Sequence, residues 1–267
     1  MCGKDGEGPM SHNLARDRLA AGGLALGIGL RLVRTGEIAK IMQAAGFDWI
    51  WVDLEHGPHS LDQASQICCA ALDAGITPLV RVPEGQYDMA ARALDGGAWG
   101  IVMPHVETAE EAREVVAHVK YPPIGHRSSG GLIPHFGYKQ MNGGEQARLV
   151  NENLLTTVML ETPKAIINAD AIAAVPGVDV LLIGTGDLTL ELGISGDYGN
   201  PQVIAAYETV IAACRRHNKW PGMGGVGSDE FMRRFIGMGM RMILAGGDIN
   251  LLLNGAQRRV ATLREAK

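Results

Sequence analysis

The stretch WIWVDLEH begins as a buried-strand pattern and runs directly into Asp53, Glu55 and His56. Leaving such groups buried and unpaired costs several kcal/mol, so they must meet partners, solvent or a ligand. Arg81 closes TPLVR, Glu161 follows TTVML, and Asp187 lies in GTGDL, so charge recurs where apolar runs end. Glu161 and Asp187 are about one strand-plus-helix unit apart, a spacing that sets two carboxylates on neighbouring strands around a common centre. Paired carboxylates repel unless a proton or cation lies between them, and an all-oxygen pair suits a hard divalent cation such as Mg2+ or Mn2+. The imidazole of His56 can act as a base, and Arg81 can hold charge developing on an oxyanion. The turn Gly184-Thr185-Gly186 has no bulky side chains, so its N–H groups can bind a carboxylate. A base, a fixed cation and a Lewis acid at one centre suit reactions that develop negative charge on a substrate oxygen.

Positioning such residues requires a scaffold that gathers strand ends. Short runs rich in Val, Ile and Leu alternate with stretches of helical period, the pattern of repeated βα units around a parallel sheet. Eight candidate strands are LALGIGL (24–30), DWIWVDL (48–54), TPLVRVP (77–83), GIVMPHV (100–106), TTVMLET (156–162), DVLLIGT (179–185), WPGMGG (220–225) and MRMILAG (240–246). The helical stretches between them, such as SLDQASQICCAALDAG and TAEEAREVVAHVK, open on Ser or Thr caps, and several close on Gly. Eight units in 267 residues predict an α/β fold of the (β/α)8 TIM-barrel type, one domain over 13–267 behind a disordered leader at 1–12. In that fold Asp53, Arg81, His105, Glu161 and Asp187 all fall at the mouth where strands end. Residues 121–153 are too long and too rich in Gly and Pro for an ordinary connection, and are expected to form a functional loop over the mouth or an oligomer contact.

The net charge of −5 supplies no basic field for nucleic acid or anionic lipid. No apolar run reaches membrane-spanning length, and the start of the chain lacks the apolar core of a signal peptide. Four cysteines without metal-ligand spacing fit a reducing, cytoplasmic setting.

WVDLEHGP, PLVRVP, LDGGAWGIVMPHVETAEEAREVV, KYPP, GHRS, VMLET and GVDVLLIGTGDLTLELG together resemble the class II, metal-dependent pyruvate aldolases. That family includes 4-hydroxy-2-oxoheptanedioate aldolase and 2-dehydro-3-deoxyglucarate aldolase, and the resemblance covers nearly all of residues 14–260. It implies a phosphoenolpyruvate/pyruvate-type barrel whose last helix is exchanged between subunits of a homohexamer, with a divalent cation (Mg2+, Mn2+ or Co2+). It further implies Glu161 and Asp187 as metal ligands, His56 as general base, Arg81 as enolate stabiliser, and Asp53 and Asp95 as groups that orient and polarise the histidine. Substrate contacts are expected from Arg81, Thr185, Gly186 and Asp187. Two departures bear on substrate: Met159 stands where some relatives carry a Gln that contacts the ketoacid, and the last two strands end in GMGGVGS and LAGGDIN, richer in glycine than the family pattern.

Plainer readings apply to several of these residues. Glu55 fits a structural anchor as well as a catalytic role, and His105, His126 and His135 fit ordinary wall or loop positions. Residues 125–128, GHRS, could also line the aldehyde side of the pocket. Gly224, Gly225, Gly246 and Gly247 sit where many barrels bind phosphate, though tight turns also explain them. Lys164 could form a Schiff base but falls past a strand, after a proline, where a helix begins. A lyase or mutase of phosphoenolpyruvate or acyl-CoA ester type shares the same logic, and a silent barrel used for binding would have been suggested by loss of His56, Arg81, Glu161 or Asp187.

Overall fold

Each apolar run forms a strand in the computed structural model, which describes residues 12–265. The strands are β1 (Ala25–Leu30), β2 (Trp49–Asp53), β3 (Thr77–Arg81), β4 (Gly100–Met103), β5 (Leu155–Leu160), β6 (Val180–Gly184), β7 (Trp220–Gly224) and β8 (Met242–Gly247). They pair in parallel and in chain order, with β8 returning to β1, and so close a (β/α)8 barrel. Several strands stop short of the apolar runs. β4 ends at Met103 because Pro104 has no N–H to give to a ladder, and β8 starts two residues later than its run, at Met242, and ends one later, at Gly247. The leader expected at 1–12 lies outside the described residues apart from His12.

Alternation along the strands builds two layers of core. Trp49, Trp51, Leu79, Val102, Leu155, Met159, Leu182 and Met242 pack together inside the barrel. Their neighbours Ile50, Val52, Val80, Ile101, Val158, Leu181 and Ile243 pack outward against the helices. Successive side chains on a strand face opposite ways, so Asp53, Arg81 and Glu161, each two residues beyond an interior apolar group, also face inward. All three are at least nine-tenths buried.

The end of the barrel where strands begin is closed by the helix Leu14–Ala20, whose Ala15 and Leu19 join the interior cluster. Its N-cap, Asn13, also donates through Nδ2 to the carbonyls of Trp99 and Asn153. Residues 121–153 pack at this same end, which corrects the expectation of a loop over the mouth. Tyr121, Ile133, Phe136 and Val150 cluster on Trp99, the residue just before β4, and His135 Nε2 lies 2.9 Å from the Ala98 carbonyl. Glycine and proline mark this segment as irregular but do not determine which end of the barrel it covers.

The helix Asp248–Arg264 follows β8 directly. Beyond its buried first residue every described residue is exposed, including Ile249, Leu251, Leu252, Leu253, Val260 and Leu263. No helix among the described residues is long and apolar enough to cross a membrane.

Candidate active site

Strand ends meet around one cleft of about 350 Å3, lined by Arg31, Trp51, Asp53, His56, Arg81, Met159, Glu161 and Asp187 and by a glycine-rich rim from β7 and β8. Its floor is apolar: Trp51 lies under the Arg81 guanidinium at 4.8 Å, and the Met159 sulfur is 4.0 Å from Arg81 Nη1.

Asp53 and Arg81 are opposed in the β2–β3 register. Arg81 Nε donates to Asp53 Oδ1 at 3.0 Å and Nη2 donates to Oδ2 at 2.6 Å, a bidentate pair of the kind that fixes a guanidinium in direction as well as position. Asp53 Oδ1 also accepts from the N–H groups of Glu55 and His56. Burial opposes ionisation of Asp53, yet the bonds and charge of Arg81 and these N–H groups hold its carboxyl below the usual range. The expectation that Asp53 orients the histidine is thereby changed in kind, because the contact is with the His56 backbone and not with its ring. The imidazole itself is exposed to the cleft, with Nε2 3.8 Å from Glu55 Oε2. Glu55 serves as an anchor: its Oε2 lies 2.9 Å from Arg81 Nη1 but outside hydrogen-bonding geometry, and its Oε1 is 3.7 Å from His105 Nε2.

Glu161 is buried against β6, where a side chain at Gly184 would stand 2.5 Å from its Oε1. Its Oε2 accepts from the His105 N–H at 2.9 Å and lies 3.3 Å from His105 Nδ1. His105 reaches this position in the left-handed region, φ 54°, a conformation that costs a side-chain-bearing residue roughly 1–2 kcal/mol. His105 is therefore part of the site's support, a role its place two residues past a strand did not reveal. Burial pushes the Glu161 carboxyl up, to about 7, and the charges of Asp187 and Glu55 act in the same direction against His105. Among the described residues no three His, Cys, Asp or Glu side chains converge as a complete metal cage. The pair nevertheless fits a cation that keeps part of its shell for water and substrate, because a buried carboxyl facing further negative charge is relieved by one.

Asp187 is the third residue of the helix Thr185–Glu191 and is exposed to the cleft. Thr185 is corrected as a side-chain contact: it is fully buried, and its hydroxyl bonds Tyr207 at 2.7 Å. The backbone N–H of Gly186 fares differently. A Cβ at Gly225 (φ 78°) would stand 2.7 Å from that nitrogen, so the glycine leaves it uncovered.

Asp95 does not reach the cleft of its own chain. It ends the helix Tyr87–Asp95, which runs back from the mouth, and accepts from Arg127 Nη2 at 2.6 Å at the far end of the barrel. Its expected contact with the histidine is absent within this chain, and GHRS, which carries Arg127, does not line the cleft either. Lys164 is likewise outside. It opens a short helix and donates to Glu107 at 2.7 Å, a bond that raises its pKa where a Schiff-base lysine needs the opposite. Arg31, Tyr198 and Asn250 also line the cleft, on loops and a helix start that carry no recognisable motif.

A closed (β/α)8 barrel with an acidic pair, a fixed arginine and an exposed histidine at its mouth defines the class of barrel lyases that handle ketoacids. The chain belongs to the HpcH/HpaI aldolase/citrate lyase family, whose model matches residues 33–254. It is 40% identical over 249 residues to a 4-hydroxy-4-methyl-2-oxoglutarate aldolase of Hapsidospora irregularis, covering 92% of each chain. A second enzyme of that name, from Chaetomium globosum, is 39% identical over 92% of this chain and 93% of its own. The crystal structure of an HpcH/HpaI aldolase from Desulfitobacterium hafniense superposes with a TM-score of 0.88 at 33% identity, covering 94% of this chain and 96% of that one.

Proposed function

We propose that this protein is a class II aldolase that reversibly cleaves a 4-hydroxy-2-oxo acid to pyruvate, or a related 2-oxo acid, and a carbonyl compound. The observation that carries the reading is the convergence of Glu161 and Asp187, Arg81 and His56 on one cleft at the strand ends. Family membership and the names of the two relatives support it.

Glu161 and Asp187 would hold a divalent cation, which when bound would supply a Lewis acid for the 2-oxo acid. His56, at the open side of the cleft, takes the proton from the 4-hydroxyl. The C3–C4 bond then breaks, the former C4 becomes a carbonyl, and its electrons pass to C3 and the C2 oxygen. Arg81, aimed by Asp53 and Glu55, stabilises the negative oxygen. Protonation of C3 by the same imidazole releases pyruvate and restores the base. Glu55 and Asp53 act through Arg81 and the backbone at His56 and are positioning residues.

Pyruvate with a panel of aldehydes and ketones, assayed with and without Mn2+, tests the reading; absence of any carbon–carbon bond formation would overturn it. The family's citrate lyase members and the apolar Met159 floor favour one second reading, a lyase of acyl-CoA ester or phosphoenolpyruvate type, which the same assay with those esters would reveal. The bare apolar face of the helix Asp248–Arg264 supports exchange of that helix within a homohexamer, which light scattering checks. Three free cysteines among the described residues support a cytoplasmic setting.

A further inference from the structure

Two arginines line the cleft, and they are in opposite electrostatic situations. Arg81 is held between carboxylates: Asp53 pairs with it bidentately and Glu55 lies 2.9 Å away. Arg31 has no carboxylate partner for its guanidinium among the described residues, although the cleft around it contains several acids. From Arg31 and the carbonyl chemistry of the cleft we infer that this guanidinium is the residue that selects the second carbonyl compound, by binding an anionic group at its far end in preference to a neutral aldehyde.

The placement follows from the barrel. In a closed ring ordered β1 to β8, β1 stands opposite β5, so Arg31, just beyond β1, faces Glu161, just beyond β5, across the mouth. A 2-oxo acid seated at Glu161, Asp187 and Arg81 therefore leaves the β1 and β8 side of the cleft for the second carbonyl compound. That side holds Arg31, Asn250, Gly246 and Gly247, with Leu244 and Val226 as apolar wall.

The backbone that carries Arg31 is fixed rather than loose. Buried Asp248 accepts from the N–H groups of Arg31, Leu32, Val33 and Ile249 at 2.8–3.3 Å. Those bonds occupy both carboxylate oxygens. His59 Nε2 sits 2.8 Å from the Val33 carbonyl and braces the same loop from β2. A cation on an ordered backbone, with its own acid turned to other work, is the arrangement that binds an external anion at small ordering cost.

The inference rests on the aldol reading above, and the test separates the two. Exchange of the pyruvate methyl protons in D2O by the wild-type enzyme needs no second carbonyl and reports on that reading alone. With exchange established, kcat/KM for condensation is compared among glyoxylate, glycolaldehyde phosphate and propanal in the wild type, Arg31→Met and Arg31→Lys. The expected result is that Arg31→Met lowers kcat/KM for glyoxylate about 10- to 100-fold, mainly through KM, while propanal changes little and Arg31→Lys retains part of the preference. Preference for glycolaldehyde phosphate that depends equally on Arg31 would assign the anion as phosphate, still read by this residue. An Arg31→Met enzyme in which all three substrates keep their wild-type ratios would overturn the inference.

Discussion

Asp53 and Arg81 are register partners on adjacent parallel strands and meet through two hydrogen bonds of 3.0 and 2.6 Å. The carboxylate thus holds the guanidinium in one plane and, through two N–H groups, also holds the turn that carries His56. Asp53→Ala removes both supports and leaves a buried cation with only Glu55 beside it. The expected cost is about 3 kcal/mol of stability, read by urea unfolding, together with weaker pyruvate binding by calorimetry. Unchanged stability and affinity would show that the pair is dispensable.

Removal of the divalent cation by a chelator is expected to abolish activity reversibly. Glu161→Gln should weaken Mn2+ binding, measured by calorimetry on the folded protein, at least tenfold. The substitution should not unfold the barrel, because burial already disfavours the ionised carboxyl that it removes. Asp187→Asn, at an exposed position, should act likewise.

His56→Ala is expected to slow exchange of the pyruvate methyl protons by roughly 10^2- to 10^4-fold with little change in pyruvate affinity, the signature of a lost acid–base group. Proton NMR in D2O is the measurement. Exchange at the wild-type rate would transfer the role elsewhere, with His105 the next imidazole to examine.

His135 gives the protein an acid-sensitive brace at the other end of the barrel. Burial pushes its pKa down to about 4 from 6.5, so between these values the unfolded chain binds a proton that the folded chain refuses. Stability contributed by the neutral ring is present above pH 6.5 and is lost as pH falls toward 4, with about 2 kcal/mol gone between pH 7 and pH 5. Urea unfolding at the two pH values should show this loss in the wild type and a smaller one, by about that amount, in His135→Gln.

Much of the site was readable from the chain because its logic is local. An inward-facing charge two residues beyond an inward-facing apolar group, as in Trp51–Asp53, Leu79–Arg81 and Met159–Glu161, needs only the alternation of a strand to be placed. Asp95 failed that logic: it ends a helix, and helices in this fold return toward the start of the next strand, which carries it to Arg127. The role of Asp53 required the β2–β3 register, a property of two strands together. Arg31 and Asn250 were hidden because their positions depend on Asp248, more than 200 residues from Arg31, and no local pattern announces a contact at that separation.

That long-range staple also sets a timetable for synthesis. The ladder between β1 and β8 and the bonds from Asp248 to the loop after β1 join the two ends of the barrel, so neither can form until β8 has emerged from the ribosome. Earlier units can assemble as they appear, but the edges of β1 stay unpaired on that side, and the rim that carries Arg31 is the last part of the cleft to take shape. A nascent chain stalled before Asp248 would have Asp53, Arg81, Glu161 and Asp187 already made and still lack a finished mouth.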